Sequence, residues 1–301
     1  MNDLDVLTGI RHDTPAISAR ARHQGRNRLL DEIGGSRPRA SRWRLARRPM
    51  LLTGAAAAIT AVLVAFQVAG TPAKNSTAEA ATVLTLAASA VTITPAIAPR
   101  SDQFIYLDVV HVTGGMTQHV QTWTSVDGSR PGLIRSAGFL GNSSTVSPRP
   151  DPAHGLRQAP YAVVAKLPTD PQALLRALYA DPYVEEQMQH NGISREVAVW
   201  SMLRDLVETA PGAQKAAMFK AAALIPGITH VEHATDAAGR SGEAVGLEDP
   251  RLGSIQFIFD THTHAFLGER VMDPGSTTSV QFNDAVQHTG VADKPGVVPS
   301  N

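Results

Sequence analysis

The chain has 301 residues, with 27 basic and 27 acidic side chains, 43% hydrophobic residues and no cysteine. Without thiols, disulfide and zinc-thiolate frameworks are excluded, so an exported portion of about 230 residues would hold together by its apolar core, which a chain of that length can bury. The zero net charge hides a split: residues 1–48 carry 11 Arg against 5 acidic side chains (+6), and the rest carries 16 Lys and Arg against 22 acidic side chains (−6).

Residues 1–48 are too few and too polar for a core of their own. Leu4, Leu7 and Ile10 recur at helical spacing. Thr14 caps a second helical stretch, with Pro15 at its first position and Gly34-Gly35 past its end. Its apolar face is thin (Ile17, Ala21, Leu29, Leu30, Ile33), which reads as a solvated basic tail or as a short docking element for a cytoplasmic partner. Ahead of the apolar run lie Arg37, Arg39, Arg42, Arg44, Arg47 and Arg48 with Trp43 among them, an arrangement suited to anionic headgroups. A nucleic-acid patch is disfavoured, because only one aromatic residue accompanies the charge.

Residues 49–70 carry no ionisable side chain and would span roughly 30 Å as a helix, the thickness of a bilayer core. With the arginines on its N-terminal side, the positive-inside rule places the N-terminus in the cytoplasm and the acidic part outside. Membrane lipid is thus an expected partner of the span and of the Arg cluster. Arg47-Arg48 followed by apolar residues also reads as a twin-arginine export signal. The long leader and long apolar run favour a retained anchor over a cleaved signal.

Residues 71–78 read as a tether and 79–301 as an outer domain. Its first element is a helix over Glu79 to Ile93, closed by Pro95. Alternation over Phe104 to His111, the Gly114-Gly115 turn, a return over Val120 to Ser125 and a short strand over Gly132 to Ser136 give β structure. Residues 138–156 read as loop and Tyr161 to Leu167 as a short extended run or lead-in. The period then changes to 3.6. Thr169 or Asp170 caps a helix begun by Pro171, Ser194 caps a longer one, and Pro211 starts a third with Ala217, Met218, Ala221, Leu224 and Ile225 inward. Strands follow over Thr229 to His233, Ser241 to Leu247, Ser254 to Phe259 and Phe266 to Met272, with a last one around Val286 to Ala292. This order predicts an α+β fold, a curved antiparallel sheet with a layer of three to four helices.

Asp260, His262 and His264 are two residues apart, so on a continuous strand they would share a face and could bind a metal. The alternative is that they form the hairpin turn itself, with Asp260 accepting backbone N–H bonds and His264 near the left-handed region, and the flanking Phe257, Phe259 and Phe266 favour it. His230 and His233 are spaced for opposite faces of a strand. His111 and His119 flank the first hairpin and could face each other across it. Asp181, Glu185 and Glu186 read as a cap and a solvated face. No nucleophile elbow, zinc-protease motif or phosphate loop occurs, so no catalytic residue and no cofactor is expected.

Several stretches together resemble an actinobacterial family of uncharacterised single-pass membrane proteins. They are residues 21–33, the Arg cluster with its Ala-rich span, Trp123 to Arg130, Leu167 to Pro171, Met218 to Gly227 and Phe259 to Glu269. The resemblance covers almost the whole chain. It implies an N-in topology, an extracytoplasmic α+β domain and a frequent gene neighbour encoding an extracytoplasmic-function sigma factor. In that family the stretch after Asp260 continues with a small residue where this chain has His264, which agrees with the turn. By element order the outer domain is also similar to the half-barrels of lipoprotein carriers and envelope-stress regulators.

The leading expectation is therefore a membrane-anchored regulator or sensor. Its outer domain would bind a lipid, peptide or protein, and its tail would meet a sigma-factor-related partner. The alternatives are an apolar-ligand carrier with a concavity lined by Tyr106, Trp123 and Phe257, and a metal-dependent hydrolase using Asp260, His262 and His264.

Overall fold

The computed structural model describes residues 76–93, 98–138, 143–148 and 155–300. The basic tail, with Arg37, Arg39, Arg42, Trp43, Arg44, Arg47 and Arg48, and the apolar run at 49–70 lie outside the described residues. Among the described residues, no helix is long and apolar enough to cross a membrane. They form an α+β fold with nine strands in one antiparallel, curved sheet and six α-helices.

The first helix, α1 (Ser76–Ile93), starts three residues before the expected Glu79. Its buried stripe is Ala80, Val83, Leu84, Ala87 and Ala88, the spacing of one helical face. Its first turn is tied to distant backbone: Ser76 Oγ accepts the His230 N–H at 3.0 Å, and Thr77 Oγ1 donates to the Ile228 carbonyl at 3.0 Å.

Strands β1 (Phe104–Thr113) and β2 (Met116–Ser125) form the expected hairpin. Gly114 and Gly115 both hold positive φ there, as a two-residue turn of this hand requires. β3 (Gly132–Gly138) pairs with β2, and β4 (Ser143–Val146) makes the edge, inside a stretch expected to be loop. Ser143-Ser144-Thr145-Val146 has no apolar alternation to reveal it. A 3-10 turn follows at Leu156–Gln158. The expected extended run at Tyr161 is instead a single helical turn, α2 (Tyr161–Val164), held to the β2–β3 connection by the Ala162 N–H on the Val126 carbonyl at 2.9 Å.

Helix α3 (Pro171–Tyr179) is capped by Asp170, which accepts the Ala173 N–H at 2.8 Å. Asp181 caps α4 (Pro182–Asn191) through the Tyr183 N–H at 2.9 Å and also accepts the Leu156 N–H at 3.0 Å, which fixes the 3-10 turn. The sequence shows that cap but not the helix, because α4 buries only Tyr183 and Val184. Ser194 caps α5 (Arg195–Val207), which buries eight residues and is apolar on almost every side. Helix α6 (Gly212–Ala222) ends before Leu224, so Leu224 leaves the inward stripe and is 47% exposed, whereas Ile225 is buried.

The chain then runs through β5 (Thr229–Thr235), β6 (Ser241–Asp249), β7 (Gly253–Phe259), β8 (Phe266–Met272) and β9 (Val280–Ala292) as a meander. Strand order is β4-β3-β2-β1-β9-β8-β7-β6-β5, so β9 closes the sheet by inserting between β8 and β1. Register shifts in four pairings add bends, which is how bulged strands curve a sheet.

The main core lies between the helices and β6 to β8. The Trp200 ring stacks on Phe257 at 4.7 Å, Phe219 meets Phe259 edge-on at 5.3 Å, and Trp200 Nε1 donates to the Ile255 carbonyl at 3.0 Å. Tyr106 and Trp123 occupy the other face of the sheet with Phe104 and Ala292. There the C-terminal segment covers them: Trp123 Nε1 donates to the Val297 carbonyl at 2.7 Å. Trp200→Ala should lower unfolding free energy by about 3–5 kcal/mol through cavity formation and the lost hydrogen bond, read as a shifted urea midpoint with an unchanged slope.

Candidate functional site

The helices cover only part of their side of the sheet. Over β1 to β4 the same face opens into a cleft of about 290 Å³. Ile105 and Leu107 of β1, Thr122 and Thr124 of β2, Ile134 of β3 and Val146 of β4 form its floor, and the segment 157–161 with Leu206 forms its wall. These positions share a face by register, since Ile105 pairs with Thr124, Leu107 with Thr122, and Thr122 with Ile134. Gly132 also lines the cleft, and a Cβ there would lie 2.2 Å from the Trp123 carbonyl oxygen. Strands β2 and β3 therefore approach closely only because that residue is glycine.

Where the covered and open halves meet, charged side chains replace apolar ones. Arg157 of the 3-10 turn bonds Asp205 at the end of α5. Arg204 Nε stands 3.2 Å from Glu269 of β8, and His111 of β1 bonds Asp284 of β9. Lys215 in the first turn of α6 donates to the Glu208 carbonyl at 3.2 Å. Two further cavities adjoin this seam, one of about 360 Å³ beside Arg157, Arg204 and Asp205, the other of about 180 Å³ beside Glu208 and Lys215. Asp205 and Glu208 also line the cleft, so the seam is its inner end.

Enclosure changes the protonation of these groups. Burial, helped by the Asp284 charge, raises the Glu208 carboxyl to about 7 against the pull of His111 and Lys215. Burial lowers Lys215 to about 8, opposed by Glu208. Glu269 is raised well above the ordinary carboxylate range by burial, only partly offset by Arg204, and its Oε2 has no hydrogen-bond partner. Asp284 is raised by burial against the hydrogen bond from His111. Burial disfavours a charge on His111, yet the hydrogen bond and charge of Asp284, with Glu208 behind them, raise it on balance.

Asp260, His262 and His264 form the turn between β7 and β8. Asp260 Oδ1 accepts the N–H groups of His262 (3.0 Å) and Thr263 (2.7 Å) and the Thr263 hydroxyl (2.9 Å), and these bonds, the Thr263 N–H foremost, lower its carboxyl. His264 has φ 54°. The three side chains do not converge: His262 Nδ1 meets Thr261 Oγ1 at 3.0 Å, while His264 Nδ1 lies 3.5 Å from Glu243. Among the described residues, no group of three or more His, Asp or Glu is arranged to hold a metal.

His111 and His119 do not face each other, since Val110 is the partner of His119 across the hairpin; His111 goes to Asp284 and His119 to Asp108. His230 bonds Glu243 at 2.9 Å and lies 3.5 Å from Glu79. The concavity expected around Tyr106, Trp123 and Phe257 is not formed. Tyr106 and Trp123 lie on the opposite face under the C-terminal segment, and Phe257 is stacked under Trp200. The sequence reading missed the seam. Its one local signal is Arg204-Asp205 in the last turn of α5, after a run from Val197 to Leu203 whose apolar residues are broken only by Ser201.

The Glu208 proton gives a measurable sign. The folded protein holds it up to about pH 7, whereas the unfolded chain releases it around the ordinary 4.5, so stability is lost as pH rises between those values. The raised His111 acts in the same direction, its contribution lost as pH rises above the ordinary 6.5. Urea midpoints at pH 5, 6 and 7 should fall in the wild type and fall less steeply in Glu208→Gln, where the raised Glu269, Asp284 and His111 still act in the same direction. An equal decline in both proteins would place the titration elsewhere.

No family model matches the chain, and no curated protein matches it. Among solved structures it shows weak similarity to MucB. The crystal structure of MucB is 11% identical with a TM-score of 0.26, over 74% of this chain and 61% of that one. The Pseudomonas aeruginosa MucA/MucB complex gives 11% and 0.25, over 74% and 59%. MucB in complex with MucA(peri) gives 10% and 0.24, over 73% and 57%. The chain thus spans about three fifths of the chains it matches.

Proposed function

We propose that the chain is a membrane-anchored regulator whose outer α+β domain binds a protein or peptide segment in the cleft over β1 to β4. In this reading residues 49–70 cross the membrane, with the N-terminus inside. The basic tail, flanked by the Arg37 to Arg48 cluster at the lipid surface, contacts a sigma-factor-related protein in the cytoplasm. The reading is of a binding domain and not an enzyme.

The observation that carries it is the open half of the sheet. A floor of Ile105, Leu107 and Ile134 is bordered by Thr122, Thr124 and Thr209, whose hydroxyls can serve a backbone as well as a side chain. The volume supports a peptide over a lipid. Sites that engulf a drug-sized ligand measure about 300–1,000 Å³, and 290 Å³ accepts one or two side chains of a partner lying across the cleft. The carrier reading loses its support where the helix-facing side of β6 to β8 is filled by Phe257, Phe259 and Trp200. The charge split between residues 1–48 and the remainder, and the implied sigma-factor neighbour, support the topology and the inner partner.

Full-length protein should co-purify with an extracytoplasmic-function sigma factor of the kind the resemblance implies as a gene neighbour, and deletion should change transcription from that factor's promoters. Thr122→Trp, which places an indole in the cleft, should reproduce the deletion phenotype at normal protein levels. Absence of both the interaction and the transcriptional change would contradict the proposal.

A further inference from the structure

On the sheet face opposite the cleft, the register sets four residues side by side: Leu133 of β3, Trp123 of β2, Tyr106 of β1 and Gly290 of β9. Tyr106 and Trp123 are fully buried, with their rings 5.1 Å apart. Their cover is the segment after β9, which crosses the strands as a strap. Gly296 lies against Leu133 and Arg135, the Val297 carbonyl accepts the Trp123 indole N–H at 2.7 Å, and Pro299 lies on Gly290. Gly290 makes a niche for that proline, since a Cβ there would come within 2.7 Å of Pro299 Cγ. Aromatic rings for the apolar side and an indole N–H for a backbone carbonyl are the parts with which proteins receive extended, proline-bearing segments.

The strap is held lightly. Among the described residues, the bond from Trp123 is its one hydrogen bond to the sheet, and Val297 and Val298 are 52% and 49% exposed. The end of β9 is pinned without it, because Asp293 Oδ1 accepts Arg100 Nη2 at 3.0 Å and Gln103 Nε2 at 2.8 Å. Residues beyond Asp293 can therefore lift while the ladder stays paired. Lifting them uncovers two large aromatic rings, an apolar patch that a segment of the same chemistry closes again.

We propose that this row is a docking site, that residues 296–299 fill it as an exchangeable internal ligand, and that its occupant in trans is the same segment of a second copy of the chain. The site is separate from the cleft, which lies on the other face. A second copy is favoured over an unrelated partner because its Gly296-Val297-Val298-Pro299 segment repeats every contact named above. Reciprocal exchange between two copies closes a two-fold dimer.

The chain has no cysteine, so a disulfide can report the exchange. A Cβ at position 290 would lie 3.4 Å from that of Pro299, at the near edge of the disulfide range of about 3.5–4.5 Å. Full-length Gly290→Cys and Pro299→Cys proteins, carrying different tags, are mixed and oxidised with diamide. A mixed-chain disulfide should form, well above the yield from Gly290→Cys mixed with Val298→Cys, whose thiol sits on the exposed side of the strap. Both substitutions in one chain should close within that chain, which checks the contact itself. The second measurement is the binding of a fluorescent peptide of residues 293–300 to full-length Pro299→Asp, a change that loosens the strap and leaves the row intact. Binding should saturate, and should be weaker by about tenfold or more in the unsubstituted protein, where the tethered strap competes. Closure within one chain with no mixed-chain product above the Val298→Cys level would make the strap a permanent cover and overturn the proposal. No closure in the doubly substituted chain would remove the contact on which it stands. If Gly290→Cys fails to fold, the peptide decides: no binding to folded Pro299→Asp, or loss of fold in that variant too, would show the strap to be a fixed part of the domain.

Discussion

The pairing of the last strand with the first holds this domain together. β9 runs antiparallel to β1 from Phe104 opposite Ala292 to Thr113 opposite Phe282. Without it, the β1 to β4 hairpins and the β5 to β8 meander are two separate sheets, each with a free edge. The register shift between Asp108 and Val109 has a specific consequence. His288 lies opposite Asp108, and an unbroken ladder would place Ala285 opposite His111. The extra residue in β9 places Asp284 there instead, and the His111–Asp284 pair of the seam follows from it.

The helices all lie between β4 and β5 in sequence, apart from α1, and they pack over the half of the sheet into which they lead. α5 supplies Trp200, Leu203 and Leu206 to that interface, α6 supplies Phe219, and Phe257, Phe259 and Phe266 receive them. An apolar interface of this kind ends where it runs out of helix, and here it ends on ions. Buried ion pairs are seldom stabilising compared with apolar packing of the same volume. Arg204, Asp205, Glu208, Lys215, Glu269 and Asp284 therefore make a poor case as core and a better one as the margin of a site. Beyond them the β1 to β4 half is covered only by the segment 157–161 and Leu206, under which Ile105 and Leu107 are buried while Thr122, Thr124 and Ile134 stay half-buried.

Much of the architecture is legible in the chain. Alternation marks β1 and β2, Gly114-Gly115 marks their turn, and the caps at Asp170 and Ser194 each start a helix, because these signals are local. The Asp260 to His264 turn is legible for the same reason, as a short side chain folding its own backbone. What escapes is decided at a distance. Alternation shows that Tyr106 and Trp123 share a face but not which layer covers it, and the answer lies with Val297, far along the chain. β4 carries no apolar pattern because it is a solvent-exposed edge. The seam draws its members from the 3-10 turn, two helices and three strands, and Asp284 enters it only through a bulge that no short stretch of sequence reveals.

The account depends on the β1 to β4 face being open in the whole protein while the β6 face is closed. Because the chain has no native cysteine, single cysteines report this directly. In the full-length protein, maleimide labelling of Thr122→Cys, half-buried on the cleft floor, should run far faster than the protein unfolds. Val245→Cys, buried on the covered face opposite Phe257, should label only as fast as the protein unfolds. Protection of Thr122→Cys to the level of Val245→Cys would mean that the cleft is filled by the protein itself, and the binding site described here would not exist.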